Sequence, residues 1–191
     1  WCLSYQIYID YHDKEWGKPI YDGHKLFEML CLEGAQAGLS WITVLKKREN
    51  YRRLFDNFNP NKIALYDDDK KKLLLCEVGI IRNKLKIQAF ITNAQLFLMY
   101  EKENGSFSDL IWSFVDGEPI INNPTALAEV PVATDASIKL SKELKKLGLK
   151  DKEAAVYVAC LELGAAPVQQ ISRKAKVVRA TTYVVLDTLA E

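Results

Sequence analysis

Apolar residues recur at three- and four-residue spacing along almost all of the 191-residue chain, and no segment alternates apolar and polar residues for long enough to indicate a strand. This spacing is typical of helices that each bury one face. A chain of this length can bury one good core, or one domain with a small appendage. The sequence therefore predicts an all-α fold.

Capping residues set the limits of the predicted helices. Asp22 begins a helix that ends at Gly38, and Ser40 begins the next, over residues 41 to about 58. The later predicted helices are a short one after Asn59-Pro60, one from Asp68 or Asp69 to near Gly79, a long one carrying residues 87–98, one over residues 110–115 capped by Ser108, and one over residues 137–147.

Charge excludes some partners and leaves others open. With 26 basic and 25 acidic side chains the net charge is only +1, so binding to nucleic acid would need a local basic patch. Charged residues interrupt the apolar runs before they reach the length of a membrane span, and no signal-peptide pattern opens the chain. We therefore expect a cytoplasmic protein without a membrane partner. Because the first residue is Trp1 and not Met, we also expect residues before it in the natural protein.

The four cysteines, Cys2, Cys31, Cys76 and Cys160, show no CxxC spacing. The last three lie in apolar helical contexts, which favours small buried hydrophobic residues over a disulfide or metal framework.

Aromatic residues and one carboxylate are concentrated in the first quarter of the chain: Tyr8, Tyr11, Trp16, Glu33 and Trp41. Aromatic faces and an edge acceptor are the groups that would hold a flat, positively charged base. Glu33 follows an apolar run, where an unpaired carboxylate would be costly if buried. The residues alone leave an alternative open, in which Glu33 is solvated and the aromatic rings are ordinary core.

Four motifs together resemble the 3-methyladenine DNA glycosylase I family from Trp1 to about Leu147. They are Tyr-Ile-Asp-Tyr-His-Asp-Lys-Glu-Trp-Gly at residues 8–17, Leu-Glu-Gly-Ala-Gln-Ala-Gly-Leu-Ser-Trp at 32–41, Val-Gly-Ile-Ile-Arg-Asn-Lys at 78–84 and Trp-Ser-Phe-Val at 112–115. The resemblance implies a helix-hairpin-helix bundle that excises 3-methyladenine in base-excision repair. It also implies roles for single residues: Glu33 and Tyr11 recognise the base edge, Trp41 stacks on the base, and Tyr8 and Trp16 line the same pocket.

Two segments are predicted to contact DNA. The resemblance identifies the turn around Gly79 as the helical hairpin, where backbone N–H groups can bind phosphate and Arg82, Lys84 and Lys86 add positive charge. The corner Gln36-Ala37-Gly38-Leu39 is a candidate for filling the gap left by a flipped base, because a small apolar protrusion suits an unstacked step. A simple corner between two helices is the open alternative.

Two features of related glycosylases are missing from this sequence. The wider superfamily places a catalytic aspartate after its hairpin, but residues 87–93 contain none. This agrees with the 3-methyladenine branch, where the charged base is already labile. The resemblance also implies a structural zinc, but His12 is the only secure ligand here, Cys2 is one possible addition, and four are needed. The site is therefore predicted to be incomplete, and no cofactor is expected.

Residues 148–191 resemble another family, the TrmB-type transcription regulators, over their N-terminal DNA-binding module without the wing strands. Three short helices are predicted there, over residues 151–163, 167–175 and 179–190, in a helix-turn-helix pattern. We therefore predict a glycosylase-like domain at residues 1–147 and a helix-turn-helix-like segment at 148–191. The open alternative is that the tail packs in place of the last glycosylase helix.

The leading functional hypothesis is a monomeric, monofunctional DNA glycosylase that hydrolyses the N-glycosidic bond of 3-methyladenine in double-stranded DNA. The alternative hypothesis is a non-catalytic DNA-binding fusion, which would grip DNA without releasing a base. A third is an unstable fragment with neither activity.

Overall fold

The structure is a computed structural model that describes residues 2–122, Thr125, Pro131 and residues 133–146, and every regular element in these ranges is a helix. The α-helices are α1 (Gln6–Lys14), α2 (Gly23–Gln36), α3 (Trp41–Leu45), α4 (Arg48–Leu54), α5 (Pro60–Ile63), α6 (Asp68–Cys76), α7 (Lys84–Asn104), α8 (Phe107–Ser113) and α9 (Asp135–Lys146), with a short 3-10 helix (Asp56–Phe58) before α5. The prediction of an all-α fold is confirmed. The helices predicted in the tail lie outside the described residues.

The longest helix, α7, is the centre of the core. It packs against α2, α5 and α6. Phe90 is buried on α7, and its ring lies 4.9 Å from that of Phe55, 5.6 Å from that of Tyr51 and 5.9 Å from that of Phe58. Such closely spaced, tilted rings contribute stability beyond the area that they bury. They hold α4 and the following turn against α7.

Several helix starts agree with the sequence predictions. The Asp22 carboxylate accepts a hydrogen bond from the Lys25 N–H at 2.8 Å, and the Asn59 side chain accepts from the Asn61 N–H at 3.0 Å. These side chains satisfy N–H groups that have no partner inside the helix. The long helix α7 begins in the same way, with Asn83 as its cap.

The predicted helix over residues 41–58 is wrong, because the structure divides it into α3, α4 and the 3-10 turn. Asp56, Asn57 and Phe58 have φ values of 52°, 53° and 54°, a left-handed conformation that asparagine and aspartate tolerate better than most residues. Phe58 adopts it because its ring is fully buried in the core. Ser40 does precede α3, but its hydroxyl pairs with that of Thr43 at 2.7 Å and makes no capping bond.

Helix α6 begins at Asp68, as predicted, with Asp67 as its cap. Two smaller predictions need correction. Helix α8 begins earlier than expected, because Ser106 rather than Ser108 accepts the capping bond. Cys31 is buried as expected, and Cys2 is buried too, but Cys76 is exposed at the end of α6. Cys160 lies outside the described residues.

A buried network of charges joins α1, α2 and α4. The Glu28 Oε1 atom accepts hydrogen bonds from Nε of Arg48 at 2.8 Å and from Nε of Arg52 at 2.9 Å. Arg48 also donates to Glu15, just past the end of α1, at 2.6 Å. Burial alone would lower the pKa of Arg48, but its bonds to Glu15 and Glu28 raise it. The network therefore fixes α1, which carries Tyr8 and Tyr11, onto the rest of the fold.

None of the helices in the described ranges is both long enough and apolar enough to cross a membrane.

Candidate active site

Helices α1, α2 and α3 bring four of the predicted site residues together: Tyr8, Tyr11, Glu33 and Trp41, here called the acidic–aromatic cluster. Tyr8 and Tyr11 are three residues apart on α1 and therefore share one face, and both are buried. The Tyr11 and Trp41 rings lie 5.3 Å apart, tilted by 53°. The structure thus brings together residues that are distant in sequence and that the family resemblance placed in one pocket.

One carboxylate oxygen of Glu33 has no polar partner among the described residues. Its Oε2 atom is buried, and in the described part of the chain it makes no hydrogen bond. Burial raises the pKa of Glu33 to about 8. Burial, followed by the nearby Glu33 charge, raises the pKa of Tyr11 to about 12. Native proteins rarely leave a buried carboxylate oxygen without a partner, so this atom is a candidate for binding a ligand.

Two more polar atoms close to Glu33 along the chain are buried without partners among the described residues. The indole Nε1 of Trp41 is a donor, and Oε1 of Gln36 is an acceptor. From the sequence, Gln36 was predicted to belong to the corner and not to the base site. Its position three residues after Glu33 on α2 was the available signal, because such residues lie on one side of a helix.

Trp16 lies apart from this buried group. Its side chain is 55% exposed and stacks on His12, with ring centroids 5.4 Å apart and planes 15° from parallel. The predicted role of Trp16 as a pocket wall therefore stays a prediction.

The structural zinc implied by the family resemblance does not fit the described residues. The His12 Nδ1 atom lies 2.8 Å from the Asp13 carboxylate. Across residues 2–122 and 133–146, no three side chains of histidine, cysteine, aspartate or glutamate come together as a metal site. A structural zinc needs four ligands, so His12 has too few companions there.

The hairpin between α6 and α7 is fixed by α4, which the sequence did not predict. Lys47 donates to the carbonyl of Val78 at 3.0 Å, and the Tyr51 hydroxyl accepts from the Ile81 N–H at 3.1 Å. A Cβ on Gly79 would lie 2.8 Å from the Asn50 side chain, so only glycine allows this close approach. The turn is therefore held rigidly in place.

The charged residues of the hairpin divide into two groups. Arg82 and Lys84 are exposed, as binding to phosphate requires. Lys86 was also predicted to add charge near phosphate, and this is wrong, because its side chain is buried against α2. The ammonium group donates to the carbonyls of Ala35 at 2.8 Å and Ala37 at 2.7 Å.

The corner after α2 lies beside the hairpin because of this contact. Gly38 is exposed and has a φ of 75°, which reverses the chain, and Leu39 is half-buried. The Leu39 N–H closes the turn by donating to the Gln36 carbonyl at 2.6 Å. The two segments predicted to contact DNA are thus joined by one buried side chain.

An all-α fold with a helical hairpin beside a buried acidic–aromatic cluster defines the class of helix-hairpin-helix DNA glycosylases. The sequence profile described as methyladenine glycosylase matches residues 1–163, so the chain belongs to the methyladenine glycosylase family. A second profile, described as sugar-specific transcriptional regulator TrmB, matches residues 144–191. Both resemblances found in the sequence are confirmed. The two matches overlap over residues 144–163, and the domain boundary at 147 stays a prediction.

Individual relatives agree with the family assignment. The chain is 52% identical over 150 residues to DNA-3-methyladenine glycosylase 1 of Escherichia coli (strain K12), covering 78% of this chain and 80% of that protein. A crystal structure of 3-methyladenine DNA glycosylase I matches with a TM-score of 0.74 at 47% identity, over 92% of this chain and 88% of the other. A variant of 3-methyladenine DNA glycosylase I in complex with 3-methyladenine matches with a TM-score of 0.72 at 33% identity, over 90% and 87%.

Proposed function

We propose that this chain is a monofunctional DNA glycosylase that acts as a monomer in the cytoplasm and removes 3-methyladenine from double-stranded DNA. The observation that carries the proposal is the buried Glu33 Oε2 atom, which has no hydrogen-bond partner among the described residues and lies near Tyr11, whose ring contacts that of Trp41. Its relatives, named as 3-methyladenine glycosylases, support the choice of base.

The proposed base site distinguishes the methylated base by its charge. Methylation at N3 makes the adenine ring cationic, and aromatic rings attract a cation through their faces. A carboxylate that accepts a hydrogen bond from the ring edge adds a charge-assisted interaction. Glu33 becomes a carboxylate more readily when a cation lies beside it, since a nearby opposite charge lowers a pKa. Unmodified adenine is neutral, so it does not offset the cost of burying the negative charge of Glu33.

The reaction needs little help beyond recognition. The C1′–N9 bond breaks, its electron pair stays on N9 and neutralises the ring, and the oxygen of a water molecule bonds to C1′ and releases a proton. The products are free 3-methyladenine and an abasic site. The sequence has no aspartate at residues 87–93 that could activate the water strongly, so the rate depends on the lability of the charged base. This chemistry favours damaged over normal bases.

The DNA itself would be held by the hairpin and the corner. Exposed Arg82 and Lys84 neutralise phosphates, and the turn at Gly79 brings backbone N–H groups close to them. Gly38 and Leu39 would enter the gap left by the flipped nucleotide. A complex of this kind should weaken steeply with salt.

Release of free base from methylated duplex DNA tests the proposed function. We expect chromatography to show 3-methyladenine, with abasic sites and no strand cleavage, and no base from unmethylated duplex of the same sequence. The match of residues 144–191 to a transcription regulator favours one alternative, a DNA-binding fusion without catalysis. A folded preparation that binds methylated DNA but releases no base would establish that alternative.

We further propose that the chain folds and works without zinc, because its sequence offers only His12 and, at best, Cys2 as ligands, and a structural zinc needs four. Elemental analysis of the purified protein should show much less than one equivalent of zinc, and a chelator should leave its melting temperature unchanged. Tightly bound zinc in stoichiometric amount would contradict this proposal.

A further inference from the structure

Lys86 is a buried lysine at the contact between the hairpin and the base site. It lies in the first turn of α7, directly after the hairpin, and its side chain is only 4% exposed. The ammonium group donates to two carbonyls at the end of α2, those of Ala35 and Ala37, at 2.8 and 2.7 Å. A positive charge at a helix C-terminus is favourable, because the last carbonyls have no partner inside the helix.

The two carbonyls lie on either side of Gln36, immediately before the corner. The backbone turns at Gly38, and Leu39 closes the turn through its own N–H. Glu33 lies one turn earlier on the same helix. Lys86 therefore holds the stretch of backbone that leads from the proposed base site to the residues proposed to enter the duplex.

We propose that Lys86 is a positioning residue that links the grip of the hairpin on DNA phosphates to the insertion of Gly38 and Leu39 into the duplex. The inference rests on the proposed function. When the hairpin binds the DNA backbone, Lys86 keeps the corner at a fixed distance from the hairpin. Without the ammonium group the corner must be ordered during binding, and that ordering lowers affinity for the distorted duplex.

A purely structural role predicts a different pattern of effects. If Lys86 only stabilised the fold, its loss would weaken every activity of the protein alike. If it positions the corner, its loss should impair excision most where a gap must be filled. A single strand has no opposite base and no stack to fill, and free 3-methyladenine needs neither the corner nor the hairpin.

The test compares Lys86→Met with the wild-type full chain in three assays. Single-turnover excision of 3-methyladenine from duplex DNA should fall at least about tenfold, as expected for losing charge-assisted hydrogen bonds. Excision from the same strand without its complement should fall much less, and affinity for free 3-methyladenine should stay within about twofold of wild type, since the free base does not contact the corner. Lys102→Met, an exposed position on the same helix, is the matched control and should change none of these values.

A double-mutant cycle tests whether the effect of Lys86 on excision depends on Leu39. If Lys86 acts through the corner, Leu39→Ala should cost much less in the Lys86→Met background than in wild type. Additive effects of the two substitutions on excision would overturn the inference. So would equal losses of excision from duplex and from single-stranded DNA. In both cases, excision by the wild type would still support the proposed function. If Lys86→Met does not fold, Lys86→Gln replaces it. Failure of both variants to fold would assign Lys86 to stability alone and would also overturn the inference.

Discussion

Glu28→Gln is expected to lower the free energy of unfolding by roughly 3–5 kcal/mol, because it removes the charge that pairs with two guanidinium groups. Arg48 is buried with Glu28, and Arg52 shares the same carboxylate oxygen. The replacement keeps the shape of the side chain but leaves both cations without their common partner. Urea unfolding at pH 7 would measure the loss.

Glu49→Gln is the matched control for that substitution. Glu49 also pairs with Arg52, at 2.6 Å, but its side chain is 80% exposed. Water and salt screen such a pair, so the expected change is about 0.5 kcal/mol or less. If Glu28→Gln cost no more than this control, the buried network would not be what fixes α1 to the fold.

Glu33→Gln should raise the free energy of unfolding, whereas Glu28→Gln should lower it. Burial raises the pKa of Glu33 from 4.5 to about 8. Between these pH values the native state holds a proton that the unfolded chain has released, so wild-type stability falls as the pH rises from about 4.5 to about 8. Glutamine has no charge to bury. The variant should therefore match wild type at pH 4 and exceed it by on the order of 2–4 kcal/mol at pH 8. Thermal unfolding at both pH values would measure this difference.

The same substitution should weaken excision. Loss of a charged hydrogen bond to the base should cost on the order of 1–3 kcal/mol in kcat/KM. Because the carboxylate binds the cation, kcat/KM of the wild type should rise with pH until about 8, and this rise should be absent in the variant. A Glu33→Gln protein with wild-type excision and unchanged stability would remove Glu33 from the proposed base site.

Local residues predicted part of the proposed base site, and the family resemblance predicted the rest. Glu33 follows an apolar helical run, where a buried carboxylate needs a function or a partner. The residues alone also allowed a solvated Glu33 and ordinary core rings. The family resemblance grouped the carboxylate and the rings in one pocket and specified the ligand. The structure brought Tyr11, Glu33 and Trp41 together as expected, while Trp16 lies on His12 instead.

Other features depend on long-range contacts that no local pattern reveals. Glu28 and Glu33 lie on the same helix, but only Glu28 meets Arg48 and Arg52, which are 20 and 24 residues away in sequence. The sequence predicted Lys86 to be one more cation at the hairpin surface. Its contact with Ala35, 51 residues away, is visible only in the structure. The left-handed turn at Asp56 to Phe58 is stabilised by burial of the Phe58 ring, which helical periodicity does not predict.

The claim that Glu33, Tyr11 and Trp41 form the base site is tested most directly by calorimetric titration of the full chain with free 3-methyladenine, with adenine as the matched ligand. We expect a single site that binds 3-methyladenine more tightly than adenine. Glu33→Gln and Trp41→Ala should each weaken that binding by on the order of 1–3 kcal/mol, through the lost charge and the lost stacking surface. Equal affinity for the two bases, or wild-type affinity in both folded variants, would contradict the claim.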